Sequence, residues 1–378
     1  MYIYILYIQF LIQYPGSTYE LADVWTDHGV FPFQNLVPFY TRMSAHPIEW
    51  KLFYHLSNTK LNEVCSNLYA RMFCGRRIRK RIESHNPDLI VSVHPTMNHT
   101  PLKNIKVINK KLGKHIPFFT VVTDLGSAHC MWFERKVDKL YVASDRLYKL
   151  ARRRGGTSHD DIVMTGLPIR HGFAEQAELL GGDRTSEAGK AYQKMVREQL
   201  NIPATKQCVL VMGGGEGVGS LSDIVNGLYA KLATDGVDAT ICVVCGRNEK
   251  LQQELITRNF DHVTAEINAA QAKYGGEGRV GKRRRMKRFV SKKILQRNKK
   301  NDDGTMESTT TDTSNSRMGN VDILPLGFLT NIPEYMVAAD VLVTKAGPGT
   351  IAEAAAVGLP VMMTRYVMMQ TQQSAKSK

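Results

Sequence analysis

The chain has 378 residues, of which 43% are apolar and 22% charged. At about 150 residues per domain this gives two or three domains with real cores, which excludes wholesale disorder, collagen and coiled coil. Lys plus Arg is 50 against 35 acids, a net charge of +15, but residues 279–300 alone carry twelve Lys/Arg and no acid. Without that stretch the charge falls to +3, so the basic pI does not describe the folded body and does not argue for nucleic acid.

The chain opens on MYIYILYIQFLIQY, uncharged but interrupted by Gln and followed by Pro-Gly. It reads as a buried strand or as a leader. No run reaches the roughly 18 apolar residues of a spanning helix, and the positive n-region and cleavage site of a signal peptide are missing from it. Next, Leu61, Val64, Leu68 and Met72 recur at helical spacing, followed by the basic turn 76–81. LIVSVHP (89–95), FFTVVTDL (118–125) and LYVAS (140–144) are short β-branched runs and predict strands. DRLYKLARRRGG (145–156) predicts a helix with cations in its last turn and Gly after it. Strand–helix–strand alternation implies a parallel sheet.

A second unit follows. A helical stretch at 187–200 leads to the strand and glycine turn VLVMGGGEGVGS, then to the strand TICVVCG (240–246) and a helix from Asn248. DILPLGF (322–328) and VLVTKAG (341–347) resume the pattern, and TIAEAAAVGLP (350–360) is a helix stopped by Gly358 and Pro360. Residues 262–320 interrupt this unit. They are basic, then polar, and predict a disordered surface insertion. The division predicted is 1–172 and 173–378, two doubly wound α/β units of Rossmann type, with ligands at the carboxyl ends of strands.

The chemistry-bearing residues fall at such ends. Gly214, Gly215, Glu216 and Gly217 form a turn that suits a diphosphate at a helix N-terminus, or else a tight turn alone. Lys345 ends a strand, Gly347-Pro348-Gly349 turns, and a helix begins near Thr350. Glu353 lies one turn in, where a carboxylate can accept from a ribose or serve the helix dipole. Arg247 and Arg170 also fall at predicted strand ends. His94 and Asp124 follow strands in the first unit and are candidate proton acceptors. Trp132-Phe133, flanked by polar and charged residues, suits an interfacial anchor or a place in the core. Cys242 and Cys245 form a CxxC inside a predicted strand, where i and i+3 face opposite sides, so neither metal nor redox chemistry is expected of them. No two Asp are spaced i, i+2, so charge on a leaving diphosphate falls to amides, helix dipoles and Lys/Arg rather than to a divalent ion.

Seven segments in order carry a resemblance: ADVWTDHGVFPFQNLVPFY, DLIVSVHPTMNHTPL, FTVVTDLGSAHCMWF, TGLPIRHGF, VLVMGGGEGVG, VVCGRN and DVLVTKAGPGTIAEA. Together they resemble the monogalactosyldiacylglycerol synthases, galactolipid enzymes of plastids and photosynthetic bacteria, related to the MurG-type transferases. The resemblance covers residues 19–366 apart from 262–320. It implies the GT-B fold, an acceptor domain followed by a UDP-sugar domain. It implies an inverting UDP-galactose:1,2-diacylglycerol 3-beta-galactosyltransferase, free of structural metal and other cofactors, peripheral on the chloroplast envelope. By resemblance Arg170, Gly214–Gly217, Arg247, Lys345, Gly347–Thr350 and Glu353 hold UDP, and Phe328-Leu329 lie by the uracil. Trp132-Phe133 meet the membrane, and the partners are UDP-galactose, diacylglycerol and anionic lipids, not nucleic acid.

Two family loops have no counterpart here. The glycine-rich loop with its catalytic His would precede the first matching segment, and of the sugar-gripping segment only Gln370 has a match. The expectation is therefore a chain incomplete at both ends of the fold. The alternative to an active enzyme is a UDP- or lipid-binding remnant without turnover.

Overall fold

The computed structural model describes residue 6 and residues 11–44, 46–213, 221–274, 317–345 and 347–365. Gly214–Gly217, Gln370 and the basic stretch 279–300 lie outside the described residues, as does most of the leading segment. The part of that segment that is described, residues 11–13, is helical rather than extended.

The chain forms two compact units, 1–190 with 345–378, and 191–344. The sequence reading had kept residues 345–378 with everything after 172. Within the first unit, the segment after residue 345 is tied to the chain near residue 170 by an ion pair described below.

The first unit begins with helices α1 (Val24–His28), α2 (Leu36–Ser44), α3 (Pro47–Ser57), α4 (Lys60–Phe73) and α5 (Gly75–His85). Caps set their limits: the Asp23 carboxylate accepts from Thr26 N, and Thr59 Oγ1 from Asn62 N. Asn86, left-handed at φ 43°, ends α5. Then β1 (Ile90–Ser92), α6 (His99–Leu112), β2 (Phe118–Val121), β3 (Lys139–Val142), α7 (Asp145–Leu150) and β4 (Ile162–Met164) alternate. The sheet runs β1-β2-β3-β4, every pair parallel, with Ile90 opposite Phe118, Phe119 opposite Lys139 and Leu140 opposite Ile162. Crossover helices enforce that direction. The core joins α6 to the sheet through Leu102, Ile105, Ile108, Phe118, Leu140 and Leu147.

Helix α4 inverts the usual arrangement. Its buried residues are Glu63, Asn67 and Ala70. Leu61 and Met72 are 75% and 66% exposed, and Val64 and Leu68 are also exposed. On α2 and α3 Val37, Phe39, Ile48 (83%), Leu52 and Leu56 are exposed too. An apolar surface of this extent is unusual for a monomeric soluble protein.

After α8 (His171–Leu179) and α9 (Glu187–Gln199), the second unit is built on β5 (Gln207–Met212), β6 (Ala239–Val244), β7 (Val321–Leu326) and β8 (Val341–Lys345). Their helices are α10 (Leu221–Thr234), α11 (Glu249–Thr257), α12 (Phe260–Tyr274) and α13 (Ile332–Ala338). The strands neighbour one another in the order β7-β6-β5-β8, all parallel. β5 and β6 are buried along nearly their whole length, as befits strands covered on both faces. Pro325 is tolerated because β7 lies beside β6 alone at the end of this order. Arg197 donates to Asp340 Oδ2 at 2.7 Å, and Asp340 Oδ2 also accepts from Cys208 N at 2.9 Å, which fixes α9 against the strand starts.

Residues 262–274, read in sequence as the start of a disordered insertion, belong to α12. Phe260 meets the Tyr229 ring with centroids 4.8 Å apart, and Thr264 is buried, so this helix is held by tertiary packing despite its polar composition. After β8 come α14 (Pro348–Ala356) and β9 (Val361–Arg365). Gly358, at φ +63°, is the left-handed residue that stops α14. Both units are thus α/β with parallel sheets. Among the described residues no helix is long and apolar enough to cross a membrane.

Candidate functional site

In the first unit the carboxyl ends of β1 and β2 bring the two predicted proton acceptors to one sheet edge. His94 lies two residues beyond β1 and Asp124 three beyond β2, and the two strands are direct neighbours. The loops that carry them are fastened together. Asn98 is wholly buried; its Nδ2 donates to the carbonyls of Pro95 (3.1 Å) and Met131 (3.0 Å), and its Oδ1 accepts from Thr120 Oγ1 (3.0 Å). Ser144 Oγ donates to Leu125 O at 2.6 Å and pins the residue after Asp124.

Asp124 Oδ2 accepts from Trp132 Nε1 at 2.9 Å. Burial pushes its pKa up to about 6, and the indole bond pulls against that rise. His94 Nδ1 pairs with Thr96 Oγ1 at 2.9 Å, and Thr96 Oγ1 also accepts from Trp25 Nε1 at 2.8 Å. The His94 ring reaches solvent at one side, while the protein around the rest of it holds its pKa below the ordinary value; Asp23 opposes this.

Three further groups complete the cluster. His129 Nδ1 accepts from Met131 N (3.3 Å), which puts its proton on Nε2 to donate to Ser57 Oγ (3.2 Å). Burial first, then Arg154, hold its pKa down at about 4, so it is neutral at pH 7. Tyr54 meets the His129 ring edge-on at 5.9 Å; burial, and secondly the charge of Asp124, raise its pKa. Arg154 Nη1 donates to Asn58 Oδ1 (3.1 Å), which also accepts from Cys130 N (2.8 Å). Tyr54, Ser57, Asn58 and Arg154 escaped the sequence reading. They come from α3 and from the turn after α7, and no motif links those segments to Asp124.

Trp132 and Phe133 are not at the surface. They are 2% and 5% exposed and belong to the core of the first unit. Their apolar bulk is spent on packing, and the exposed apolar side chains are those of α2–α4.

The remaining predicted residues fall into two groups. In the first unit, Arg170 N-caps α8 and grips Glu353 with two parallel bonds, Nε to Oε1 at 2.7 Å and Nη2 to Oε2 at 2.9 Å. Glu353 is 2% exposed, on the face of α14 that also buries Gly349, while Arg170 is half-exposed with its guanidinium 4.9 Å from the Phe173 ring. The carboxylate expected to await a ribose is thus already bound to Arg170, although each oxygen keeps a second lone pair. Gly347 N-caps α14, Pro348 occupies the first turn, and Gly347 N donates to Lys345 O at 2.7 Å. Thr350 and Lys345 are half-buried. The first turn of α14 thus has the backbone N–H groups of Gly349 and Thr350, which lack an acceptor inside the helix, close in sequence to a lysine at a strand end.

In the second unit Arg247 and Phe328 come together, guanidinium over ring at 5.5 Å, with Phe328 exposed and Leu329 half-buried beside it. Cys245 N donates to Leu326 O at 2.8 Å, which joins the ends of β6 and β7. Gly246 turns there at φ +61°, a conformation that suits Gly. Among the described residues no cluster of three or more His, Cys, Asp or Glu has metal-binding geometry.

Comparison with known proteins agrees with the motif reading. Residues 7–169 match the family model of monogalactosyldiacylglycerol (MGDG) synthase, and residues 282–373 match that of the glycosyltransferase family 28 C-terminal domain. The chain is 28% identical over 358 residues to MGDG synthase 1, chloroplastic, of Arabidopsis thaliana, which covers 93% of this chain and 53% of that protein. It is 26% identical over 357 residues to the chloroplastic MGDG synthase of Spinacia oleracea, covering 93% and 54%. Among solved structures, MurG of Acinetobacter baumannii aligns with 76% of this chain and 55% of its own at 11% identity and a TM-score of 0.38. Over 93% of its length, then, the chain is similar to monogalactosyldiacylglycerol synthases, and it spans about half the length of those curated relatives.

Proposed function

We propose that the chain is a GT-B glycosyltransferase that moves galactose from UDP-galactose to diacylglycerol, with inversion, at the plastid envelope. The observation that carries this reading is the near-full-length similarity to chloroplastic MGDG synthases together with an elevated carboxylate, Asp124, at the carboxyl edge of the first sheet. Asp124 takes the proton of the acceptor hydroxyl as its oxygen attacks the anomeric carbon. The bond from that carbon to the diphosphate breaks, UDP leaves, and a β-glycoside forms on the opposite face. A pKa of about 6 suits the role, because the group is ionised at pH 7 and still basic. Neutral His94 and His129 line the acceptor side and leave Asp124 as the anionic base.

For the leaving UDP the proposal assigns positive charge from Arg170, Arg247 and Lys345, and the turn Gly347–Thr350 with the backbone N–H groups of Gly349 and Thr350. The glycine turn at 214–217 is assigned to the diphosphate and Gln370 to the sugar. Glu353, oriented by Arg170, is assigned to the ribose, and Phe328 with Leu329 to the uracil. These groups supply what a divalent ion would otherwise supply, so the proposed reaction needs neither metal nor cofactor. The exposed apolar side chains of α2–α4 support a lipid-facing acceptor side, and the basic stretch 279–300 supports attraction to anionic lipid.

The test is transfer of labelled galactose from UDP-galactose to diacylglycerol in mixed micelles, in EDTA, with calorimetry of UDP binding alongside. Transfer that is lost in Asp124→Asn supports the reading. UDP uptake without transfer favours a nucleotide-binding protein without turnover, and no uptake removes the site assignment.

A further inference from the structure

We propose that Trp132 is a positioning residue for the proton acceptor: its indole N–H holds Oδ2 of Asp124 and leaves Oδ1 for an incoming hydroxyl. The proposal rests on the reading of Asp124 given above and adds to it the group that aims this carboxylate.

The argument begins with what a buried tryptophan requires. Its ring fills core volume, but its one N–H must find an acceptor when dehydrated. A phenylalanine would fill the same core without that demand. Here the acceptor is Asp124 Oδ2, at 2.9 Å. The donor is fixed from several sides. The ring belongs to the buried core of the unit, with Leu102, Phe118 and Leu140. Asn98 Nδ2 holds the carbonyl of Met131, Asn58 Oδ1 holds the amide of Cys130, and His129 Nδ1 receives the amide of Met131. The indole is thus anchored by the same side chains that tie the His94 loop and α3 to this turn. Asp124, by contrast, sits in irregular chain beyond β2, with the next residue pinned through Ser144. Without the indole, its carboxyl group has two torsions and, among the described residues, no other side-chain donor.

A neutral donor has a second consequence. A guanidinium in this place would orient the carboxylate and also hold it firmly ionised. An indole N–H orients it with a weaker preference for the charged form, and so leaves it able to take up a proton.

The experiment compares the wild-type chain with Trp132→Phe and with a chain carrying benzothienylalanine at 132, an isostere that keeps the ring shape and lacks the N–H. Carboxyl carbons of aspartate are labelled with carbon-13, and Asp124→Asn identifies the resonance. Loss of the donor is expected to move the Asp124 midpoint upward by about half a unit or more. In the galactose-transfer assay the acid limb of the kcat/KM profile moves up by the same interval, and KM for UDP-galactose stays unchanged. An unchanged midpoint in the folded isostere chain overturns the proposal. So does a fall in kcat that is equal at every pH. A midpoint that moves in a chain transferring no galactose upholds the positioning of the carboxyl group and removes the galactosyltransferase reading instead.

Discussion

Asp124→Asn offers a test of the site that needs no substrate. The native carboxyl group titrates near 6, against 3.8 for the ordinary residue. The folded chain therefore holds on to a proton that the unfolded chain has released, and stability falls as pH rises through the window from about 4 to 6. Above that window the folded protein carries the full cost of an ionised, dehydrated carboxylate, about 3 kcal/mol at pH 7 to 8. Asparagine is close in shape, still accepts from Trp132 Nε1 through its carbonyl, and carries no charge. The variant is expected to be more stable than the wild type by about 3 kcal/mol at pH 7.5 and by only about 1 kcal/mol at pH 4.5. Urea unfolding at the two pH values measures both numbers. A gain of equal size at both would show that volume or hydrogen bonding, not charge, is responsible. No gain at pH 7.5 would show that Asp124 is well solvated, and its role as a tuned base would go with it. A gain in stability accompanied by loss of transfer is the pattern expected where a group is kept for chemistry at the expense of folding.

The Arg170–Glu353 pair should respond asymmetrically. Arg170→Ala leaves a buried carboxylate without its cation and is expected to cost about 3 kcal/mol or more, while Glu353→Gln leaves a half-exposed guanidinium to solvent and costs about 1 kcal/mol. Equal losses in urea unfolding would refute the burial argument. On α3 and α4, Ile48→Ser, Leu61→Ser and Met72→Ser should each change stability by no more than about 0.5 kcal/mol, because these side chains are exposed in the fold. The triple variant should bind lipid vesicles more weakly. A loss of several kcal/mol in any single variant would mean that this face is covered within the fold. Deleting 279–300 should weaken binding to anionic vesicles and spare neutral ones, given roughly 1 kcal/mol per cation near the surface. Unchanged binding in flotation assays would rule out a lipid role for the stretch.

The strands were legible where several apolar or β-branched residues stood together. CVLVM, TICVVC and VLVTK became β5, β6 and β8 with little shift of boundary. β4 escaped because only Ile162-Val163-Met164 stand between Asp161 and Thr165, too short a run to carry a period. β9 was obscured because its apolar run, Val361-Met362-Met363, is equally short and follows the Pro360 that was read only as a helix stop. The stripe Leu61, Val64, Leu68, Met72 announced a helix, but periodicity does not say whether an apolar stripe faces a core or the outside. Here Thr59 starts the helix, Lys60 pairs with Glu63 at 2.8 Å, and the face through Glu63, Asn67 and Ala70 turns inward. The carboxyl-edge rule for parallel sheets was enough to single out His94 and Asp124. It could not show what surrounds them. Asn58, Arg154 and Trp132 reach one another through loops that have no period, and contacts of that kind come from packing rather than from pattern.

The two acidic groups of the first unit's candidate sites are held in opposite ways, and the difference separates their chemistry. Glu353 receives a bidentate guanidinium from Arg170, one bond on each oxygen, and each oxygen keeps a second lone pair. A carboxylate so paired is held in one orientation, as an acceptor for further donors. Asp124 receives one neutral indole N–H, through one oxygen, and the pKa values of His94 and His129 in the same cluster are held below the ordinary value. Burial, only partly opposed by that indole bond, raises its affinity for a proton to a pKa of about 6. On the proposed reading, an arginine in place of the indole would hold Asp124 firmly ionised and weaken it as a base. On that reading, recognition and proton transfer are each assigned the carboxylate suited to it.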